Sequence, residues 1–397
     1  MPVFELRSPL SAEERQQKRK LILRDFISLL SLFAITAALA VLTYFLFNSF
    51  SRHRQELAKR WLERGDKAIS SGRPDQAVEA FRSALEYDPG QRGTEIKLAM
   101  ALAAAGRTEE SISYFRSLLE SAPGNGLINL ELARLASKQG NESRAVEYYE
   151  RALDGTWEGD GYERRRTVRL ELARYLIAQK DYAKARPQLL TAAGNAPDDP
   201  SVKLEIAGLM EQAQDPTNAL YIYRTLADRK PYPLEALEGA GRVAFAMGRY
   251  QLARGYLERV VDHHDFGAQA DAIQSTNRAM LAETIQILDL FPGDDLPVKE
   301  RAERIINAAK ISQARLNSCS AGKPTPPTQL ADLAGRWQQI PARLKPLALA
   351  ADPQMEQTIM NLVYDTEKQT AQACGSPVGE DALLLKIAQS PQEVQQQ

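Results

Sequence analysis

A period of 34 residues constrains this chain more than any other feature. Gly72, Gly106 and Gly140 keep that step, as do Phe81, Phe115 and Tyr149, Ala77, Ser111 and Ala145, and the pair Pro89 and Pro123. Gly155 to Asp160 interrupts the register as a six-residue insertion. Ala173, Ala185, Leu189, Ala192 and Pro197 resume it, followed one period on by Ala207, Ala219, Tyr223, Leu226 and Pro231. A sixth, degenerate unit carries Gly241, Gly248, Ala253 and Leu257, with Asp265 where proline would stand. One unit of this length cannot bury its apolar face alone, so neighbouring units must stack.

The pattern resembles the tetratricopeptide repeat family: a small residue at position eight, Gly or Ala at twenty, an aromatic near twenty-four, Ala near twenty-seven and Pro at thirty-two. On that register the units begin near Ala58, Arg92, Gly126, Arg166, Pro200 and Leu234. Trp61 is the one Trp at a fourth position, and the third unit lacks its closing Pro. The resemblance implies two antiparallel helices, A and B, in each unit. Gly65, Ala99, Ala133, Ala173 and Ala207 then allow helix A to approach its partner closely. The aromatics at position twenty-four fill the space between units, and the prolines end helix B.

The resemblance also implies that helix A lines a concave surface, with the ninth position among those facing a ligand. Those positions hold Asp66, Met100, Arg134, Arg174, Gly208 and Arg242. None is Asn, so a carboxylate clamp like that of chaperone-binding members is not expected. Leu130-Glu131-Leu132-Ala133-Arg134 returns as Leu170-Glu171-Leu172-Ala173-Arg174. Glu131 with Arg134, and Glu171 with Arg174, are spaced to pair on a helix surface. Two readings stand side by side: solvated ion pairs, or a row of guanidinium groups, continued by Arg242, offered to an acidic or extended peptide. Trp157, in the insertion between Asp154 and Glu158, is either an exposed partner anchor or tucked back onto the third unit.

Residues 26–50 carry no charge. A bilayer core needs about 20 helical residues at about 1.5 Å rise each, so this run predicts a transmembrane helix. It is too long for the apolar stretch of a cleaved leader. Lys18, Arg19, Lys20 and Arg24 precede it, and Arg52, Arg54, Lys59 and Arg60 follow it. The counts balance, but the positive-inside bias acts through short flanks and long translocated domains largely escape it. The short 1–25 tail therefore predicts the N-terminus inside and the rest outside, as for a bacterial inner-membrane protein facing the periplasm.

Beyond about Phe266 the register fades but helical patterns continue over Ala270–Leu290, Pro297–Ser318, Gln329–Gln339 and Asp352–Cys374, broken by Gly322–Pro327 and closed by the polar Gln389–Gln397. Cys319 and Cys374 are the two cysteines, each ending a predicted helix with one predicted helix between. An up–down–up arrangement brings both to one end of the bundle. They are either a disulfide, in an oxidising compartment, or two free thiols.

The organisation expected is all-α: a basic tail (1–25), one transmembrane helix (26–50), a juxtamembrane linker (51–57), a repeat solenoid of about six units (58–266), and a helical cap with a polar tail (267–397). With 50 Lys+Arg against 51 Asp+Glu, nucleic acid is not an expected partner. No cofactor, metal or catalytic set is expected: Asp262-His263-His264-Asp265 reads as a polar turn, since adjacent His on a helix diverge by about 100°, and phosphate-loop and zinc motifs are missing. Asp294 and Asp295 read as a loop, and Ala122–Gly126 as a turn between units. The function expected is a membrane-anchored scaffold or holdase for a peptide or protein partner, in envelope assembly or secretion. The alternatives are an enzyme with its chemistry in 267–397, and a scaffold facing the cytoplasm.

Overall fold

In the computed structural model, residues 12–262, 270–294, 296–321 and 328–390 are described. All regular elements among them are α-helices, in two compact units, 1–161 and 162–397. The first unit opens with α1 (Ala12–Ser70), followed by α2 (Pro74–Tyr87), α3 (Arg92–Ala104), α4 (Thr108–Ser121), α5 (Gly126–Lys138) and α6 (Glu142–Asp154). The C-terminal part of α1 with α2, α3 with α4, and α5 with α6 form three helical hairpins. Residues 51–57, expected as a linker, are helical, because no Gly or Pro interrupts the propensity between the apolar run and the first hairpin. An 18-residue window of α1 reaches a mean hydropathy of 2.3 with none of it buried, so this helix is long and apolar enough to cross a membrane.

Packing within this unit follows the periodic residues. Phe81 lies with Ala77, Val78, Leu98 and Leu102 in one core, and Phe115 with Ile112, Leu118, Ile128 and Leu132 in the next. The small eighth residue has a concrete cause in the first hairpin. A Cβ on Gly65 would run into the Phe81 ring.

The second unit continues with α7 (Gly161–Ala178), α8 (Tyr182–Gly194), α9 (Pro200–Gln212), α10 (Pro216–Ala227), α11 (Leu234–Ala246) and α12 (Tyr250–Val261). The A-to-B turn is built alike along the chain. Gly72, Gly106, Gly140 and Gly248 take positive φ one residue before the cap of the next helix. Lys180 (φ 61°) and Gln214 (φ 56°) hold the same conformation without being glycine, which costs a non-glycine residue about 1 kcal/mol. Asn141, Asp181 and Asp215 then accept backbone N–H bonds from Arg144, Lys184 and Asn218 and cap the B helices. Arg186 donates to the Ala213 and Gln214 carbonyls at the end of α9, answering groups the helix leaves unpaired.

The remaining helices are α13 (Ala270–Leu290), α14 (Val298–Ala321), α15 (Thr328–Gln338), the short α16 (Pro346–Ala350), α17 (Pro353–Cys374) and α18 (Glu380–Gln389). They share one core that includes Ile305, Leu316, Leu333, Trp337, Ile359, Val363 and Leu384. The sequence pattern predicts four of these helices and misses α16 and α18. The last is a strap laid against α13, α14 and α17, where Lys386 pairs with Glu283 and the Ser390 hydroxyl lies 3.3 Å from that of Tyr250. His263 to Asp265, Asp295, Gly322 to Pro327 and the tail from Pro391 lie outside the described residues.

Candidate functional site

Helix A of each hairpin presents charged residues in a repeating arrangement. Asp66 accepts from Lys97 at 2.8 Å, Arg174 pairs with Glu205, and Glu211 pairs with Arg242. Each pair joins A helices of successive hairpins, 31 residues apart. The period explains the spacing. A residue at position nine or twelve lies beside position six or nine of the next A helix, one turn short of a full repeat. Tyr223 donates to Glu211 at 2.7 Å, so this carboxylate holds a guanidinium and a phenol together. Burial and the neighbouring carboxylate push the Tyr223 hydroxyl well above its usual pKa, and the Glu211 bond raises that of Arg242.

Arg134 pairs with Glu131 at 2.7 Å, within one helix as its three-residue spacing anticipates. Arg174 does not pair with Glu171. It reaches forward to Glu205 on the next A helix. All three arginines are ion-paired, as the first of the two readings has it. The side chains of Arg134, Arg174 and Arg242 remain 43%, 49% and 51% exposed. Such pairs are worth little, about 0–1 kcal/mol each, so a stronger anion can exchange for the internal carboxylate. Sequence reading missed Asp66–Lys97, Glu205 and Glu211. The signal that could have found them was opposite charge at a spacing of 31.

A tetratricopeptide repeat model matches residues 62–125, 96–160 and 170–233. Residues 62–160 and 170–233 are tetratricopeptide repeats. Similar solved structures include PilF of Pseudomonas aeruginosa, at 19% identity over 57% of this chain and 99% of that chain, with a TM-score of 0.38. PilW, described as a type IV pilus biogenesis factor, is 18% identical over 57% of this chain and 97% of its own, with a TM-score of 0.37. YrrB, described as having an unusual peptide-binding site, is 18% identical over 51% and 100%, at 0.37. No curated protein matches the chain. Tetratricopeptide repeats are protein-interaction modules, and this array is a protein-interaction scaffold.

Trp157 takes the tucked position of its two expected states. In this repeat protein its indole N–H donates to the Ala152 carbonyl at 2.9 Å, and its ring covers Gly126, where a Cβ would collide with it. The Thr156 N–H donates to Gly124 at 2.7 Å and the Gly126 N–H to Thr156 at 2.9 Å. The insertion is thus clasped onto the turn before α5, which corrects the reading of Trp157 as an exposed anchor.

In the cap, Cys319 and Cys374 are disulfide-bonded, with Cα atoms 5.9 Å apart. Beneath them the Ser312 hydroxyl donates to the fully buried Glu367 at 2.6 Å, while the second Glu367 oxygen has no partner. Burial pushes the Glu367 carboxyl up to about 7 against the opposing Ser312 bond, with Asp381 adding to the rise. Burial likewise raises Asp381. Among the described residues no group of three or more His, Cys, Asp or Glu side chains is placed to hold a metal ion.

Proposed function

We propose that this scaffold is anchored in a membrane by residues 26–50 of α1 and works outside the cytoplasm on an extended, acidic segment of a protein partner. The observation that carries the reading is the continuity of α1: one helix holds both an exposed apolar stretch long enough for a bilayer and helix A of the first repeat. The basic flank of Lys18, Arg19, Lys20 and Arg24 supports an inside N-terminus, and the Cys319–Cys374 bond supports an oxidising compartment for the cap. The domain plan that accompanies this reading is a basic tail, the span, the array up to residue 266 and the helical cap.

Partner contact is assigned to the A-helix face, through Arg134, Arg174 and Arg242 with Glu131 and Glu171 beside them. The partner's carboxylates replace the internal ones, trading one weak pair for another while its backbone gains contacts along several A helices. Changing Arg134, Arg174 and Arg242 to Glu weakens capture of an acidic segment and leaves the helicity unchanged. Unaltered capture by the folded triple variant overturns the assignment.

The compartment is tested by labelling Cys319 and Cys374 with a bulky maleimide on membranes opened in a thiol trap. Labelling only after reduction is expected. Full labelling without reductant overturns the outward topology and turns the search to cytosolic partners. Extraction by alkaline carbonate checks the anchor: the intact chain stays in the pellet, and a chain lacking 26–50 is released.

A further inference from the structure

The first repeat carries a second surface, away from the A-helix face. In later repeats the seventh position of helix A is apolar, holding Leu98, Leu132, Leu172, Ile206 and Ala240. Leu98 packs with Phe81 of the hairpin before it, and Leu132 with Phe115. In the first repeat that position is Arg64. The tenth position is Lys67, where the other repeats have Ala101, Leu135, Tyr175, Leu209 and Val243. No B helix precedes this one among the described residues, since α1 simply continues as helix.

The vacant place is a cleft of ≈ 360 Å³ between α1 and α2. Arg64, Lys67 and Arg73 line it, over a floor that includes the buried Ala68 and Ala80, and Trp61 forms one wall. The Arg64 guanidinium lies 4.7 Å from the centre of the Trp61 ring. None of the three cations is ion-paired among the described residues, whereas nearby Lys97, Arg82 and Arg60 are held by Asp66, Glu79 and Glu56. A cap made only for solubility needs charge of either sign and no tryptophan. Three cations of one sign around an apolar floor and an aromatic wall are complementary to something acidic and amphipathic.

We propose that this cleft seats an acidic amphipathic helix of a partner protein, lying where a preceding B helix would lie. Its apolar stripe rests on Ala68, Ala80 and Trp61, and its carboxylates meet Arg64, Lys67 and Arg73. Lipid headgroups are the weaker match. Trp61 follows Phe50 by eleven residues of unbroken helix, about 16 Å at about 1.5 Å per residue, whereas the headgroup layer on each side is only about 5–8 Å deep.

The test uses the full chain in nanodiscs of neutral phosphatidylcholine. The probe is a fluorescein-labelled, hydrocarbon-stapled helix with Glu on one face and Leu and Ala on the adjoining stripe, read by anisotropy. Its comparison is a scrambled isomer of equal charge. The stapled helix is expected to bind at least about tenfold more tightly than the isomer. Arg64→Ala/Lys67→Ala/Arg73→Ala is expected to lose about tenfold or more. These three side chains are exposed, so circular dichroism stays unchanged. Gln76→Trp, which fills the cleft while keeping all three cations, is expected to block binding as well. Equal affinity for the scrambled isomer, unaltered binding by either variant, or displacement by millimolar inorganic phosphate overturns the proposal. So does loss of helix binding when anionic phosphatidylglycerol replaces the neutral lipid, since the cleft is then a headgroup site.

Discussion

The repeat hairpins keep most of their charges at the surface, Glu131 excepted, and bury chiefly alanine, leucine and aromatic side chains. The cap buries charge. In the hairpins Phe81 and Phe115 sit in local cores drawn from adjacent helices, and Tyr149 is buried. In the cap, Ser312 and Glu367, 55 residues apart, meet in the interior, the Trp337 indole donates to Thr366 at 2.9 Å, and the Cys319–Cys374 disulfide closes a second span of 55 residues. A stack with nearest-neighbour contacts can lose stability one unit at a time. A core of long-range contacts sealed by a covalent bond fails as a whole.

The largest effects probe each mode of stabilisation where it is strongest. Phe115→Ala is expected to cost about 4 kcal/mol, and hydrogen exchange should show the loss concentrated in α3 to α5 with the cap protected. Equal loss of protection in the cap would erase the contrast. Replacing both cysteines by Ser removes a 55-residue closure worth about 3–4 kcal/mol in the chain-entropy account. Calorimetry should show the cap melting earlier while the hairpin transition stays in place.

The third test is pH. Burial pushes the Glu367 carboxyl up to about 7 in the fold, above its ordinary value of 4.5. Its raised folded value means that the unfolded chain gives up the proton first. The cap is therefore at its most stable, with respect to this group, below the unfolded value, and it loses about 3 kcal/mol as the pH rises through the window from the unfolded to the folded value. Glu367→Gln should flatten that dependence in urea titrations at several pH values; an unchanged slope would assign it elsewhere. Smaller again is the gain from Lys180→Gly and Gln214→Gly, about 1 kcal/mol each from relieving positive φ, read as a raised hairpin midpoint. Smallest is the coupling of Arg174 to Glu205 in a double-mutant cycle, under about 1 kcal/mol for a half-exposed pair.

The same contrast governs what can be read without a structure. The hairpins repeat, so each weak residue preference is sampled six times, and the helices α3, α5, α9 and α11 begin where the register places Arg92, Gly126, Pro200 and Leu234. The cap has no period. Its long helices were legible from their apolar spacing, but α18 was not, because Glu380 to Gln389 is short and follows a Gly-rich break. Pairs such as Glu211 with Arg242 escaped because helical spacing rules look three or four residues away, while this contact depends on the period of the stack. Trp157 could not be placed from sequence either. Its position depends on the absence of side chains at Gly126 and Gly155, and a glycine reads as a turn long before it reads as a seat for an indole.

The unbroken course of α1 has a mechanical meaning. From Ala12 to Ser70 it holds 59 residues, a rod of about 88 Å at about 1.5 Å per residue. With the apolar stretch in a bilayer, any tilt adopted to match the thickness of the hydrocarbon swings the first hairpin through the same angle, because no joint lies between them. In the proposed anchoring the membrane aims the proposed binding surface, and a change in lipid thickness becomes a change in where that surface points.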